Sequence, residues 1–246
     1  MLFASDLDNT MIHSYKTAKK GDICVELKDG KELSFMSPEA YSLLKTVASE
    51  CLFVPITTRS LEQYRRITLG VKPEYALAAH GALLLVNGEV DRQWACETRA
   101  MLGDGLPAIK ECDLLFDIRY ADEFFIFAKS ENPDSAVEYL KTVIDVNQFF
   151  ICSVHNKVYV FPKGLDKGTA LARLKKRLQP KMVACAGDSV LDIPMLEVSD
   201  IAIAPKALAH KLAFAEEPLK RVFLYDFEEF AFNVLCTVNK ILPTVQ

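Results

Sequence analysis

The sequence predicts an α/β fold in which a parallel-sheet core is interrupted by a smaller α+β insertion. Three observations carry that expectation. Short apolar runs at residues 1–5, 51–56 and 182–186 each stop at a polar loop, as buried strands do when their carboxyl ends open onto a surface. Stretches of helical period follow them, as in Leu171, Leu174 and Leu178. Between about residues 95 and 159 the pattern changes to helix, two strands, helix, two strands, which reads as a second α+β unit beside the core. The expected division is core over 1–90, insertion over 91–160 and core again over 161–246.

The elements follow in order. The first run ends against Asp6-Leu7-Asp8-Asn9-Thr10. Residues 22–35 alternate about Asp29-Gly30, which tolerates the backbone of a tight hairpin, so a flap is expected over the first strand's tip. Ser37-Pro38 supplies an N-cap and a first helical residue for 39–49, where Tyr41, Leu44 and Val47 recur at helical spacing. The strand 51–56 runs into Thr57-Thr58-Arg59-Ser60, with Ser60 capping a helix from Leu61. Strands at 75–79 and 82–86 flank His80-Gly81, and Asn87-Gly88 turns the chain into a strand at 89–93. Within the insertion, strands fall at 114–119, 123–129, 149–154 and 157–161, with a helix at 133–144. Lys167 opens the next helix, and the strand 182–186 stops at Gly187-Asp188-Ser189. Strands at 201–204 and 221–225 come later, and an amphipathic helix over 227–242 either covers the core or joins a second copy of the chain as a homo-oligomer.

Composition excludes several classes. Half of the 246 residues are hydrophobic, enough to bury a core without disulfides or metal, which rules out a disordered or fibrous chain. Lys and Arg total 29 against 33 Asp and Glu, a formal charge of −4, so there is no broad footprint for nucleic acid or an anionic membrane. A small anion needs only a local basic pocket. Cys24, Cys51, Cys96, Cys112, Cys152, Cys185 and Cys236 are scattered, without the paired spacing of a zinc or redox centre, and read as reduced. The first residues lack a signal segment, and no apolar run approaches the roughly 20 residues of a membrane span, so a soluble cytoplasmic protein is expected.

Four groups of residues could perform chemistry, each with an ordinary alternative. Asp6 and Asp8 share one side of an extended chain; they suit a hard cation such as Mg²⁺ beside an attacked phosphate, or they are solvated or capping carboxylates. Asp188 and Asp192, four apart, fit one helical face after a turn at Gly187; their like charges need a cation, Lys167 or solvent, unless they simply face the helix dipole. Thr57 suits a phosphate at a strand tip, or the segment is a plain turn with Arg59 solvated or paired to a surface acid. Lys167 is either a point charge for phosphate and Asp6 or a solvated lysine.

Taken in order, Asp6-Leu7-Asp8-Asn9-Thr10, Thr57, Lys167 and Gly187-Asp188-Ser189-Val190-Leu191-Asp192-Ile193-Pro194-Met195-Leu196 resemble the four motifs of haloacid dehalogenase-like phosphatases. The spacing between the second and third motifs resembles the branch with a C2-type cap, especially its sugar-phosphate phosphatases. The resemblance spans nearly the whole chain. It implies a Rossmann-like parallel-sheet core with a C2-type cap, Mg²⁺ as cofactor, Asp6 as nucleophile and Asp8 as general acid/base. Thr57 would donate to the phosphoryl group, and Lys167 would orient Asp6. Asp188 and Asp6 would ligate the metal with the Asp8 carbonyl, and Asp192 would support the metal or fix Lys167. The sequence departs from the family pattern at Asn9, where glycine is usual, at Thr58, where many relatives have a small residue, and at Leu191, where many have asparagine.

By this reading Asp6 is phosphorylated and then hydrolysed, with Asp8 changing proton roles between the two steps. The expected partner is a small phosphorylated metabolite, most simply a sugar or polyol phosphate, with a nucleotide as the alternative substrate. A phosphate-sensing or protein-interaction module is the reading outside enzymes. Asn9, Thr58, His80 and Arg119 are the further candidate substrate contacts, with Lys129, His155 and Lys157 beside them, while Phe124, Phe125 and Phe127 are expected to pack the cap.

Overall fold

A computed structural model describes residues 1–103, 105–110, 113–212 and 221–244. Strand β1 (Leu2–Ser5) is buried along its whole length and ends at Asp6. The short β2 (His13–Ser14) joins a hairpin of β3 (Ile23–Lys28) and β4 (Lys31–Met36). Asp29 and Gly30 turn that hairpin at φ of 52° and 73°, the left-handed pair its tight loop requires. Helix α1 (Pro38–Glu50) begins where the Ser37 hydroxyl accepts from the Ala40 N–H, and β5 (Leu52–Pro55) follows. Helix α2 (Leu61–Arg65) is set by a reciprocal cap between Ser60 and Gln63. A meander of β6 (Tyr75–Ala78), β7 (Leu83–Val86) and β8 (Glu89–Val90) leads into α3 (Arg92–Leu102). The strand expected at 89–93 is therefore shorter, because the Asp91 carboxylate accepts from the Trp94 N–H and starts a helix.

The inserted unit comprises β9 (Phe116–Ala121), β10 (Phe125–Lys129), α4 (Pro133–Val143), β11 (Phe149–Val154) and β12 (Lys157–Pro162). The chain returns through α5 (Lys167–Leu178), β13 (Val183–Ala186), α6 (Ile193–Glu197), β14 (Ile201–Pro205), β15 (Arg221–Tyr225) and α7 (Phe230–Ile241).

The core sheet is parallel throughout, in the order β15-β14-β13-β1-β5, which places β1 between strands from opposite ends of the sequence. Ser5 lies in register with both Ala186 and Pro55. Alternation sends Phe3 to one face and Leu2 and Ala4 to the other. The first face packs on α1 and α7 through Leu44, Val47, Val234 and Val238, so the terminal helix covers the core. The second packs on α5 and α6 through Leu171, Leu174 and Met195, and Trp94 of α3 joins it. Both faces are thus dry, as a parallel sheet requires.

The inserted sheet is antiparallel, in the order β11-β12-β10-β9. One face packs Ile126, Ala128, Val158 and Val160 against Ala136 and Leu140 of α4. The other carries Phe125, Tyr159 and Phe161 onto Ala78, Ala79 and Leu191 of the core. No disulfide joins cysteines among the described residues, and Cys112 lies outside them. Among those residues no helix is long and apolar enough to cross a membrane.

Candidate active site

Asp6 stands at the carboxyl end of β1, its N–H donating to the Ala186 carbonyl at 2.9 Å. The loop beyond it is wound tightly: Thr10, Met11 and Ile12 all donate to the Leu7 carbonyl. Exposed Asn9 adopts φ 58°, a left-handed conformation that explains why glycine or asparagine suits this position. From the far side, Lys167 opens α5, whose N-cap Asp166 accepts from the Thr169 N–H at 2.7 Å. The Lys167 side chain is buried, and its Nζ lies 2.5 Å from Asp6 Oδ1 and 2.5 Å from Asp192 Oδ1.

Asp188 and Asp192 meet, but on no common helical face. Asp188 lies in the loop after β13, and Asp192 ends a short 3₁₀ turn. Asp192 Oδ2 folds back to accept from the Asp188 N–H, the Ser189 N–H and the Ser189 hydroxyl at 3.1, 2.9 and 2.8 Å. The four-residue spacing is thus a loop clasp. Gly187 permits it, since a Cβ there would sit 2.3 Å from the Asp192 Cβ. With Lys167 on one oxygen and three donors on the other, Asp192 has little left to offer a ligand.

Carboxylate oxygens of Asp6, Asp188 and Asp192 all lie within 4.8 Å of one another. The Thr10 hydroxyl sits between two of them, 3.1 Å from Asp188 Oδ1 and 3.4 Å from Asp6 Oδ2. Three carboxylates share one ammonium, which leaves two negative charges in a buried place. Burial first, then Asp192 and Asp6, pushes the Asp188 carboxyl up to about 9. Burial likewise raises Asp6 to about 7 against the pull of Lys167. Lys167 itself stays above its ordinary range because Asp192 and Asp6 outweigh its burial. Excess charge of two on hard oxygen donors fits a divalent cation such as Mg²⁺, with Asp6 and Asp188 as its side-chain ligands.

Asp8 turns elsewhere. Its half-exposed carboxylate accepts from Arg59 Nε and Nη2 at 2.8 and 2.7 Å. Burial opposes the charge, yet the Arg59 ion pair and its hydrogen bonds hold the carboxyl below its usual range. Arg59 also lies 2.8 Å from Glu26 Oε2, and buried Glu26 accepts from Arg66 and, at 2.6 Å, from the Ser34 hydroxyl. The flap is thereby tied to the mouth of the site. Of the two readings of its turn, Arg59 fits neither a solvated side chain nor a purely surface pair, being held between half-exposed Asp8 and buried Glu26. Glu26 carries no sequence signal for this role: a bulge in β3 buries consecutive Val25 and Glu26, which alternation does not anticipate.

Thr57 is fully buried beyond β5, its hydroxyl accepting from the Arg59 N–H at 3.1 Å and so keeping its own proton to donate. Thr58 follows, half-buried. His80 is buried at φ 60°, its ring stacked 4.1 Å from Phe161, with Nδ1 lacking any partner among the described residues. Burial and Lys167 hold it well below the usual histidine range, so it is neutral. Arg119 lies on β9, exposed, with both guanidinium contacts on Asp117.

Residues 108–211 match the family described as haloacid dehalogenase-like hydrolase. A phosphoglycolate phosphatase of Methanothrix thermoacetophila is 26% identical over 172 residues, 67% of this chain and 72% of its own. Phosphoglycolate phosphatase 2 of Saccharolobus solfataricus is 27% identical over 177 residues, 69% and 70% of the two chains. The sucrose-phosphatase of a Synechocystis species, solved with sucrose and phosphate, shares the fold at TM-score 0.60 and 18% identity, over 97% of this chain and 98% of that one.

Proposed function

We propose that this chain is a haloacid dehalogenase-like hydrolase with a C2-type cap, a Mg²⁺-dependent phosphomonoesterase acting on a sugar phosphate or related small metabolite; the family match over residues 108–211 and the shared fold support this reading. The observation that carries the reading is Lys167 clamped between Asp6 and Asp192, beside Asp188, where a phosphate and a divalent cation would meet. In this reading the core is 1–90 with 161–246, and the cap is 91–160. The names of the relatives, for phosphoglycolate and sucrose phosphate chemistry, support a small substrate.

Asp6 is the nucleophile. Lys167 fixes its carboxylate through Oδ1 and places positive charge beside the incoming phosphoryl oxygens. Thr57 donates its free hydroxyl proton to the same group. When one Arg59 hydrogen bond is exchanged for the substrate, Asp8 takes up a proton from solvent, gives it to the leaving oxygen, and as the resulting carboxylate later takes one from the attacking water. Asp192 positions Lys167 and the Asp188 loop. Asp6, Asp188 and the Asp8 carbonyl would hold Mg²⁺, whose charge would offset that of the phosphoryl group. Asn9, Thr58 and His80 border the substrate. The cap excludes water and presents the leaving-group side.

Phosphate release from a panel of sugar phosphates, nucleotides and phosphoproteins, with Mg²⁺ or with chelator, tests the class. Labelled substrate trapped in turnover is expected on Asp6. Label on another residue overturns the nucleophile, and phosphate binding without release overturns the enzyme.

A further inference from the structure

We infer that the cap carries a cationic subsite for a second anionic group on the leaving alcohol, a carboxylate or another phosphate, formed by Lys157, Lys129 and Arg119; this rests on the phosphomonoesterase reading. The strand register sets the residues out. Phe127 pairs with Arg119 on one side and Tyr159 on the other, and Lys129 pairs with Lys157. Alternation puts all of them on the face that also carries Phe125 and Phe161. That face is turned to the core, since Phe125, Tyr159 and Phe161 pack on Ala78, Ala79 and Leu191, and His80 stacks on Phe161. Its aromatic end is docked. Its cationic end continues along the same strands toward the mouth of the site.

Charge bookkeeping then points to a ligand. Asp117 answers two of the three cations, at 2.8 Å from Arg119 Nε and 2.7 Å from Lys129 Nζ. Lys157, whose Nζ lies 6.0 Å from the Phe127 ring, forms no ion pair among the described residues. Asp8 attracts it, but both Asp8 oxygens already accept from Arg59. Although Lys157 is exposed, partial desolvation against the strand face first, and then Arg59, Lys129 and Arg119 against the pull of Asp8, hold its ammonium below its ordinary range. Three cations against one carboxylate leave an excess of two positive charges over the cleft. The scissile phosphate has its own partners in Lys167 and Thr57, and the hydroxyls of a neutral sugar need no such charge. A second anion does.

Matched substrate pairs decide it. Phosphoglycolate and the phosphate ester of ethylene glycol differ by one carboxylate, and a hexose bisphosphate and hexose monophosphate differ by one phosphate. In at least one pair kcat/KM is expected to favour the more anionic member by about tenfold or more; the pair that shows it identifies the group. Lys157→Met should reduce that preference. Asp117→Asn should increase it, because it frees Arg119 and Lys129 while asparagine tolerates the φ of 53° at this position. Equal or better turnover of the less anionic members in both pairs overturns the subsite, as does a preference that neither substitution moves. Mg²⁺-dependent turnover of p-nitrophenyl phosphate, which has no second anion, keeps the phosphatase reading standing when the preference fails. Failure to hydrolyse any phosphomonoester overturns both.

Discussion

Arg59 grips both carboxylate oxygens of Asp8, at 2.8 and 2.7 Å, across 51 residues of sequence. The fork fixes the rotamer of the residue proposed to move protons and biases it toward the ionised form suited to activating water. Replacing Arg59 by alanine removes the strongest influence that lowers the Asp8 carboxyl, so it rises from its wild-type position. A base with a higher pKa is ionised only at higher pH. The acidic limb of the kcat profile should therefore move up by about one unit or more. An unmoved limb would separate Arg59 from this role.

Glu26 holds Arg59 and Arg66 together inside the flap contact. Glu26→Ala should cost about 3 kcal/mol in denaturant unfolding, because two guanidinium groups lose a buried counter-charge. A loss below about 1 kcal/mol would show that water replaces the carboxylate readily.

Lys167→Met should lower kcat by about a hundredfold or more, since it removes charge stabilisation at the phosphoryl group. Its effect on folding carries a distinctive sign. Without the ammonium, Asp6 and Asp188 bind protons still more tightly in the folded than in the unfolded chain, so the penalty grows as pH rises and fades as they protonate. Denaturation at pH about 5 and about 9 should show the larger deficit at the higher value. A pH-independent deficit would point to lost packing alone.

Removing metal from the wild type has a related signature. Asp6 and Asp188 have raised carboxyls, so the folded protein holds protons that the unfolded chain has released, and metal-free stability falls from about pH 4 toward about 9. Mg²⁺ bound by these carboxylates would replace those protons. Its gain in melting temperature should thus be larger at pH about 9 than at about 6. Equal gains at both would place the cation away from these carboxylates.

Gly168, next to Lys167, lets α5 touch α6: a Cβ there would lie 2.3 Å from the Pro194 carbonyl oxygen. Gly168→Ala should cost about 1–3 kcal/mol through forced backbone movement. It should also depress kcat through the shifted lysine. Full activity with lower stability would show that Lys167 adjusts independently of the helix.

Much of this was legible because strand ends and caps leave local signatures. Asp6 and Gly187 follow apolar runs, and Ser37 and Ser60 cap helices as their neighbours predict. Burial of the terminal helix's apolar stripe was legible for the same reason. What escaped depends on geometry that spacing does not encode. The Asp188–Asp192 clasp is a loop folded on itself, indistinguishable by spacing from one helical face. The Arg59–Glu26 contact requires both a bulge in β3 and a hairpin bent back over the core. The cap cations were visible as residue types, but only the strand pairing puts Lys129 beside Lys157.

The placement of β1 between β5 and β13 has a consequence for biosynthesis. Strand β1 is synthesised well before its neighbour β13, which is made only after the whole inserted unit, as are Lys167 and Asp188. Such distant pairing slows acquisition of the native state. A nascent or truncated polypeptide ending before residue 167 carries the aspartate proposed as nucleophile without its ammonium, so the proposed chemistry awaits synthesis of the segments beyond the inserted unit.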